Sequence, residues 1–512
     1  MKYPLGIQSF VSLRQNGYYY IDKTRFAYRM ANEGKCYFLS RPRRFGKSLF
    51  LTMLRAYFEG RKELFHGLEL EQLEKEWTEY PVFYMSLNNS TFTENNSVGQ
   101  ILHHFLCGWE KLYGVSGSET TYALRFGGVI QRAFEQTGKP VVFLVDEYDK
   151  PLLQTIDNPV LQDQYRTELK AFYSVLKDQD EYVRFAFLTG VSKFSKVSIF
   201  SDLNNLNDIS LDRDYAEICG MTDAEIHANF DDGVELLAQE NGMTKAECYL
   251  RRRKEYDGYH FADISAGMYN PYSLINTLSK RQFKDYWFET GTPTYLVKLL
   301  KDANFELRDL EGEIDADTLQ SVDMETENPL AVIYQSGYLT IKGYDTEFML
   351  YRLGFPNGEV ERGFTRFLMP AYLPMPKNRP LSVLSQFVRE IRIGDPECFM
   401  QRLDAFLAGG NYQIAGDAEL YFQNAIFLIF RFMGYYVQAE YASSDGRMDM
   451  IVQTSDFIYI FEFKLDKSAD EALAQIEKKG YADQFAFDKR KLFKVGVNFS
   501  SETRRIQEWK VG

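Results

Sequence analysis

Asp449, at the start of one strand, and Glu462 with Lys464, two apart on the next, put two carboxylates and an ammonium close together. Strand side chains alternate faces, so Glu462 and Lys464 point the same way, beside Ile458 and Ile460. A short turn at Thr454-Ser455-Asp456 brings Asp449 alongside them. Unpaired buried charge is costly, so this would be a poor core. It suits Mg²⁺, which favours one or two carboxylates with water and phosphate oxygens, and Mn²⁺ takes the same ligands. In such a site Asp449 and Glu462 hold the metal, which stabilises charge on a scissile phosphate. Lys464 then orients or deprotonates the attacking water. The plain alternative is a surface Glu-Lys pair, with Asp466 and Lys467 nearby.

A second set of reactive residues lies toward the other end. Lys35 to Leu39 reads as a strand, Arg41-Pro42-Arg43-Arg44-Phe45-Gly46-Lys47-Ser48 as a loop, and Leu49 to Phe58 as a helix. That is the P-loop layout for ATP. Backbone N–H groups from Arg43, Arg44, Phe45 and Gly46 and the helix N-terminus cradle phosphate. Lys47 reaches the β- and γ-phosphates, and the Ser48 hydroxyl ligates Mg²⁺. Arg41 stands where GxxxxGK[ST] has its first glycine, and a non-glycine restricts how a loop can turn. The apolar run Val141 to Val145 reads as a strand buried on both faces of a parallel sheet, ending in Asp146-Glu147. Asp146 would hold Mg²⁺ through Ser48 or water, and Glu147 would polarise the attacking water. Roughly 100 residues between the motifs leave room for the strand Val82 to Leu87 and its helices. A further strand, Val183 to Leu188, ends at Thr189, where a side chain sensing the γ-phosphate belongs. Arg184 and Arg213 are among several candidates for an arginine finger. A finger is often given in trans, which leaves room for a homo-oligomer.

The elements around the first set follow in order. Glu419 opens an apolar helix, Gly434 to Val437 leads into a strand, and a helix from Glu471 to Tyr481 follows Lys464. This α-β-β-β-α order with D…ExK resembles the PD-(D/E)xK nuclease superfamily. The resemblance implies that Glu419 stands for the family's helix acid at the metal. It also sets Gln475 and Tyr481 beside the Gln…Tyr pair of the branch related to RecB-type exonuclease domains. The likeness widens with Gly6 to Phe10, Tyr20 to Thr24, Asp146-Glu147-Tyr148-Asp149, Thr189 to Ser192, Leu203 to Asn205 and Tyr269 to Ser273. Together these are similar to bacterial AAA-ATPase-like proteins carrying a C-terminal PD-(D/E)xK domain. The Arg41 to Ser48 loop is characteristic of that family, so Arg41 is the family's own form.

The expected fold class is therefore α/β. An N-terminal AAA-like P-loop ATPase with a parallel sheet takes residues 1–215, and a helical lid with a small winged-type connector takes 216–375. A restriction-endonuclease-like α/β domain takes 376–512. Thr222-Asp223-Ala224-Glu225 reads as a capping box, Ser336 to Leu353 as a hairpin, and the acid-rich 302–327 as an exposed helical stretch or linker. Helices over 270–300 are expected to break at Gly291-Thr292-Pro293. With 512 residues and 45% hydrophobic content, about three cored domains fit. Five scattered cysteines without CxxC spacing fit a reducing cytoplasm and argue against disulfides or a structural zinc. Neither a signal-peptide core nor an apolar run of membrane-spanning length is seen. The net charge of −13 works against long-range steering of nucleic acid. Lys478-Lys479, Lys489-Arg490-Lys491 with Lys494, and Arg504-Arg505 form local basic runs, read as a solvated face or as backbone contacts to nucleic acid, DNA for preference. Two functions fit: an ATP-dependent, metal-dependent nuclease, or a nucleotide-controlled switch whose C-terminal fold binds nucleic acid or a partner without cutting.

Overall fold

The computed structural model describes the chain apart from residues 1, 95, 194–204, 289–293, 320–327, 374–379, 409–417, 445–446 and 504. The side chains of 89, 294, 380–383, 418 and 440–449 also lie outside the described residues. The chain divides into two compact units: Met1–Gly291 with Glu311–Val360, and Thr292–Leu310 with Glu361–Gly512.

The first unit is built on a five-stranded sheet. Its strands are β1 (Cys36–Ser40), β2 (Val82–Ser86), β3 (Val141–Asp146), β4 (Val183–Gly190) and β5 (Leu206–Asp208). They run parallel in the order β2-β3-β4-β1-β5. Every residue of β3 is buried, as its unbroken apolar run requires. The helix α1 (Lys47–Phe58) follows β1, and α2 (Ser97–Tyr113), α3 (Tyr122–Thr137) and α4 (Pro159–Asp178) come from the later crossovers. Thr121 caps α3 by accepting from the Leu124 N–H, and Gly138 in the left-handed region ends it. Phe126 of α3 stacks on Phe172 of α4 at 4.4 Å and meets Phe143 of β3 at 4.9 Å. Each such ring contributes roughly 1.5–3 kcal/mol by leaving water. His103 and His104 are exposed on α2.

Three further helices follow: α5 (Asp223–Glu240), α6 (Lys245–Tyr256) and α7 (Pro271–Lys280). The capping box at Thr222 and Glu225 forms as read from the sequence, and Thr244 with Glu247 makes a second one. Ile226, Phe230, Val234, Tyr256, Leu274 and Leu278 share their core. The expected hairpin is β7 (Thr340–Asp345) and β8 (Leu350–Gly354), but the acid-rich segment adds a third strand, β6 (Glu313–Asp315). In β6 only Ile314 is buried between two exposed acids, an alternation too short to stand out in the sequence. The break expected at Gly291 to Pro293 lies outside the described residues.

The second unit contains a mixed sheet of β9 (Gln438–Ser444), β10 (Arg447–Gln453), β11 (Phe457–Leu465), β12 (Lys491–Ser500) and β13 (Arg505–Val511), in that spatial order. Only β11 and β12 pair in parallel, and a parallel pair needs a crossover. Helix α10 (Ala469–Lys479) supplies it, while α8 (Pro396–Ala408) and α9 (Ala418–Met433) precede the sheet. Phe461 meets Phe399 of α8 and Phe430 of α9 at 5.5 and 5.2 Å on one face. On the other, Ile451, Ile458 and Ile460 pack with Ile476 of α10. The chain runs α9-β9-β10-β11-α10, the order anticipated from the sequence. Among the described residues no helix is long and apolar enough to cross a membrane.

Candidate functional site

The loop between β1 and α1 sits at the C-terminal edge of the parallel sheet, where ligands of open α/β sheets bind. Gly46 has φ +96°, a left-handed conformation that glycine adopts freely. Arg41 does not take a positive φ, so the loop makes no demand for glycine there. Its N–H instead extends the β1–β4 ladder to the Gly190 carbonyl at 3.2 Å. The Arg41 side chain is fully buried and donates to the carbonyls of Ser40, Ser210 and Tyr215 at 2.9, 2.7 and 3.1 Å. Phe261 lies under its guanidinium at 4.1 Å. Arg41 is thus a pin for the loop's first residue.

Lys47 is buried and donates to the Arg41 and Pro42 carbonyls at 2.9 and 3.1 Å. Burial lowers its pKa, countered by the charges of Asp146, Asp149 and Glu147. Those acids lie where β3 ends. β4 is the strand between β1 and β3, so Thr189 at its tip pairs with Leu39 and stands between the loop and the acids. Desolvation raises the Asp146 pKa, opposed by a hydrogen bond with Ser48 and by Lys47. Asp146 Oδ1 and the Thr189 hydroxyl are buried without a hydrogen-bond partner among the described residues. Glu147 takes φ +54°, and burial, then Asp146, pushes its carboxyl above the usual range. Asp149, which accepts from the Val191 and Ser192 N–H groups at 2.9 and 2.6 Å, fastens the β3 turn to the end of β4. Lys47, Ser48, Asp146, Glu147 and Thr189 therefore gather at one edge.

The sequence reading places Asn270 and Tyr272 in a motif without a role at the loop, and it does not single out Trp287 or Glu359. The Arg43 carbonyl accepts from Trp287 Nε1 at 3.2 Å and from Asn270 Nδ2 at 3.5 Å. Asn270 Oδ1 caps α7, and Tyr272 in the same turn lies under the Arg44 guanidinium at 4.7 Å. Glu359 accepts the Trp287 N–H at 2.7 Å. The Asn-Pro at the head of α7 was a visible cap signal; Trp287 gave none. Phe45 is buried against Tyr259 and Phe261 at 4.7 and 5.2 Å.

In the second unit Asp449 of β10 pairs directly with Glu462 of β11. The Asp449 side chain lies outside the described residues. Glu462 and Lys464 are both buried, and Lys464 Nζ donates to Glu462 Oε1 at 2.5 Å and to Gln475 Oε1 at 2.6 Å. Glu462 Oε2 has no hydrogen-bond partner among the described residues. Glu462, Lys464 and Gln475 are thus brought together. Glu419 is exposed in the first turn of α9, where it accepts from Gln423 at 3.2 Å. Tyr481 packs beside the isoleucine cluster under α10. Among the described residues no three acid, histidine or cysteine side chains converge to hold a metal. Arg490 of the basic run is committed to Asp488, Thr454 and Gln453, and Lys494 to Glu477.

Residues 4–200 match the family described as Predicted AAA-ATPase, and residues 417–509 match the PD-(D/E)XK nuclease superfamily. A protein of Azotobacter chroococcum mcd 1, "Uncharacterized protein in vnfD 5'region", is 38% identical over 524 residues, covering 99% of this chain and 98% of its own.

Proposed function

Since the chain belongs to the AAA-ATPase-like family with a C-terminal PD-(D/E)xK domain, we propose that it hydrolyses ATP at the Lys47 loop and thereby controls metal-dependent cleavage of nucleic acid, DNA for preference, at Lys464. The observation that carries this reading is a pair of orphaned oxygens. Asp146 Oδ1 and Glu462 Oε2 are buried, each within a lysine-bearing site, and neither has a partner among the described residues. Such atoms are costly unless something arrives to satisfy them. Oxygen-only donor sets suit hard divalent ions, so both sites fit Mg²⁺, and the second fits Mn²⁺ as well. Ser48 and Asp146 would hold one ion; Asp449 and Glu462, with Glu419 as the resemblance implies, would hold the other. When bound, a divalent ion neutralises charge on the phosphoryl and leaving oxygens.

The chain's own groups supply the rest. Lys47 leaves its two loop carbonyls for phosphate oxygens, an exchange of neutral partners for charged ones. Glu147, with its carboxyl pushed up by burial, accepts the proton of the attacking water. The Thr189 hydroxyl, unpartnered among the described residues, is free to donate to the γ-phosphate. At the other site Gln475 and Glu462 hold Lys464, which orients the water that attacks the phosphodiester. The reading sets the protein in the cytoplasm, with its five cysteines reduced.

A second reading, a nucleotide-controlled switch that binds nucleic acid or a partner without cutting, is favoured by the net charge of −13 and by the ion pairing of Arg490 and Lys494. The two separate on one experiment. Plasmid, linear single-stranded DNA and RNA are incubated with Mg²⁺ or Mn²⁺, with and without ATP, using wild type, Lys464→Ala and Lys47→Ala. Cleavage lost in Lys464→Ala, and sensitive to ATP only with Lys47 intact, is the expected result. No cutting by wild type with ATP still turned over selects the switch.

A further inference from the structure

Three arginines stand in the phosphate loop, and two are engaged. Arg41 is buried and pinned by three carbonyls, and Arg44 rests its guanidinium on Tyr272. Arg43 is exposed, and its side chain has no partner among the described residues. Its peptide, by contrast, is held from outside the loop by the Asn270 amide and the Trp287 indole. Both anchors are themselves fixed: Asn270 by capping α7, Trp287 by Glu359. Two donors thus converge on the one Arg43 carbonyl, and a carbonyl so held beneath an unpaired cation fixes the peptide from which that cation leaves. Burial and Asp146 push the Glu147 carboxyl up, and the charge of Arg43 is among those that counter them. The other candidates are committed. Arg184 sits at the far, N-terminal end of β4 and donates to the Ala31 carbonyl at 2.7 Å. Arg213 is paired with Asp263 at 2.7 Å.

We propose that Arg43 is the catalytic arginine of this ATPase site, acting in cis, with Asn270 and Trp287 as its positioning residues. The proposal rests on the reading that the Lys47 loop binds ATP. In the reaction the water oxygen bonds to Pγ, the Pγ–O bond to the β-phosphate breaks, and ADP departs with that electron pair. Glu147 takes the water's proton. Arg43 transfers nothing; its planar fork pairs with the γ-phosphoryl oxygens as their charge redistributes. A neighbouring subunit then need not supply the finger.

The test uses the full chain, reading phosphate release and, separately, binding of a fluorescent ATP analogue. Arg43→Ala is expected to lower kcat about 1,000-fold, the low end for such an arginine, with analogue affinity changed less than about 5-fold. Arg43→Lys keeps the charge but not the fork and stays within about 10-fold of Arg43→Ala. Trp287→Phe keeps the ring, loses the N–H, and lowers kcat about 10-fold, since small misplacements are costly. In the Arg43→Ala background it lowers kcat no further, because the peptide whose carbonyl it holds then carries no guanidinium to aim. Mixing Arg43→Ala with Lys47→Ala restores nothing. Near-normal turnover in Arg43→Ala, or rescue in the mixture, overturns the proposal while the ATPase reading stands. A wild type that neither binds the analogue nor releases phosphate overturns both, and shows itself before any variant is made.

Discussion

The two lysines at the centre of the two sites are held in opposite ways. Lys47 rests on the Arg41 and Pro42 carbonyls, neutral groups of its own loop. Lys464 is bound to a buried carboxylate and to the Gln475 amide. A lysine on neutral dipoles can leave them when phosphate arrives, because nothing charged is stranded behind it. A lysine on a buried carboxylate must stay, since removing it isolates a charge in low dielectric. The first site is arranged to exchange partners and the second to keep them. Lys464→Ala should therefore destabilise the second unit by about 3–5 kcal/mol as well as abolish cleavage. Lys47→Ala should cost only about 1 kcal/mol while abolishing nucleotide binding. Calorimetric unfolding of each variant beside wild type measures the two losses. Adding Glu462→Gln to Lys464→Met should recover most of the stability and none of the activity. Equal losses for the two lysine variants would break the comparison.

The same difference governs what could be read from sequence. The second site is local: one strand, its neighbour and the next helix hold Glu462, Lys464 and Gln475, and the period of two along β11 displays them directly. The core of the first site was equally plain, because Gly46-Lys47-Ser48 and the run into Asp146 each carry their own signal. Its supports were hidden. Asn270 and Trp287 reach Arg43 across 227 and 244 residues, a distance over which no periodicity speaks. The family likeness marks Arg41 as a regular member of the loop, but the use of its side chain is visible only where it meets the carbonyls of Ser210 and Tyr215. Sequence exposes residues that act within one element and hides those that arrive from elsewhere in the fold.

Glu359 sharpens the contrast further, as the buried acid that supports the Arg41 to Ser48 loop through Trp287. Burial raises its carboxyl to about 7 from an ordinary 4.5, outweighing the hydrogen bonds from the Trp287 N–H and Ser273. A raised acid keeps its proton longer when folded, so the folded state binds more protons between those values. Stability therefore falls as pH climbs from about 4.5 to about 7 and is flat above. Glu359→Gln retains an acceptor for Trp287 and removes the titration. Its stability relative to wild type should rise by up to about 3 kcal/mol across that window. Parallel pH profiles for the two proteins would mean that Glu359 is solvated.

Asp149 gives a smaller effect of the same sign. Its Oδ2 accepts both the Val191 and Ser192 N–H groups, yet burial still lifts its pKa to about 6. The second unit makes the corresponding stitch with a neutral group: Asn498 accepts the Lys467 N–H and donates to the Lys467 carbonyl, joining β12 to the turn after β11. A carbonyl oxygen suffices for Asp149's two bonds, so Asp149→Asn should cost less than about 1 kcal/mol at neutral pH and Asp149→Ala about 2 kcal/mol. Equal costs would show that the charge, and not the acceptor, holds β3 to β4.

Arg490 should give the smallest effect, and it decides how the basic run beside β12 is used. Its guanidinium donates to Asp488 at 3.0 Å, the Thr454 carbonyl at 2.9 Å and Gln453 at 2.8 Å, fastening its loop to the turn between β10 and β11. The register sets Phe457 against Lys491 and Lys464 against Asn498. Arg490 therefore lies roughly 26 Å from the Lys464 end of β11, at about 3.3 Å per residue. An arginine so engaged has no charge to spare for a phosphate, and releasing it would unpair Asp488. Arg490→Ala should leave the salt dependence of nucleic-acid affinity unchanged and cleavage within about 2-fold of wild type. A fall of about one in the slope of log affinity against log salt would make Arg490 a backbone contact. The nucleic-acid path would then run the full length of β11, from the metal end to the basic loop.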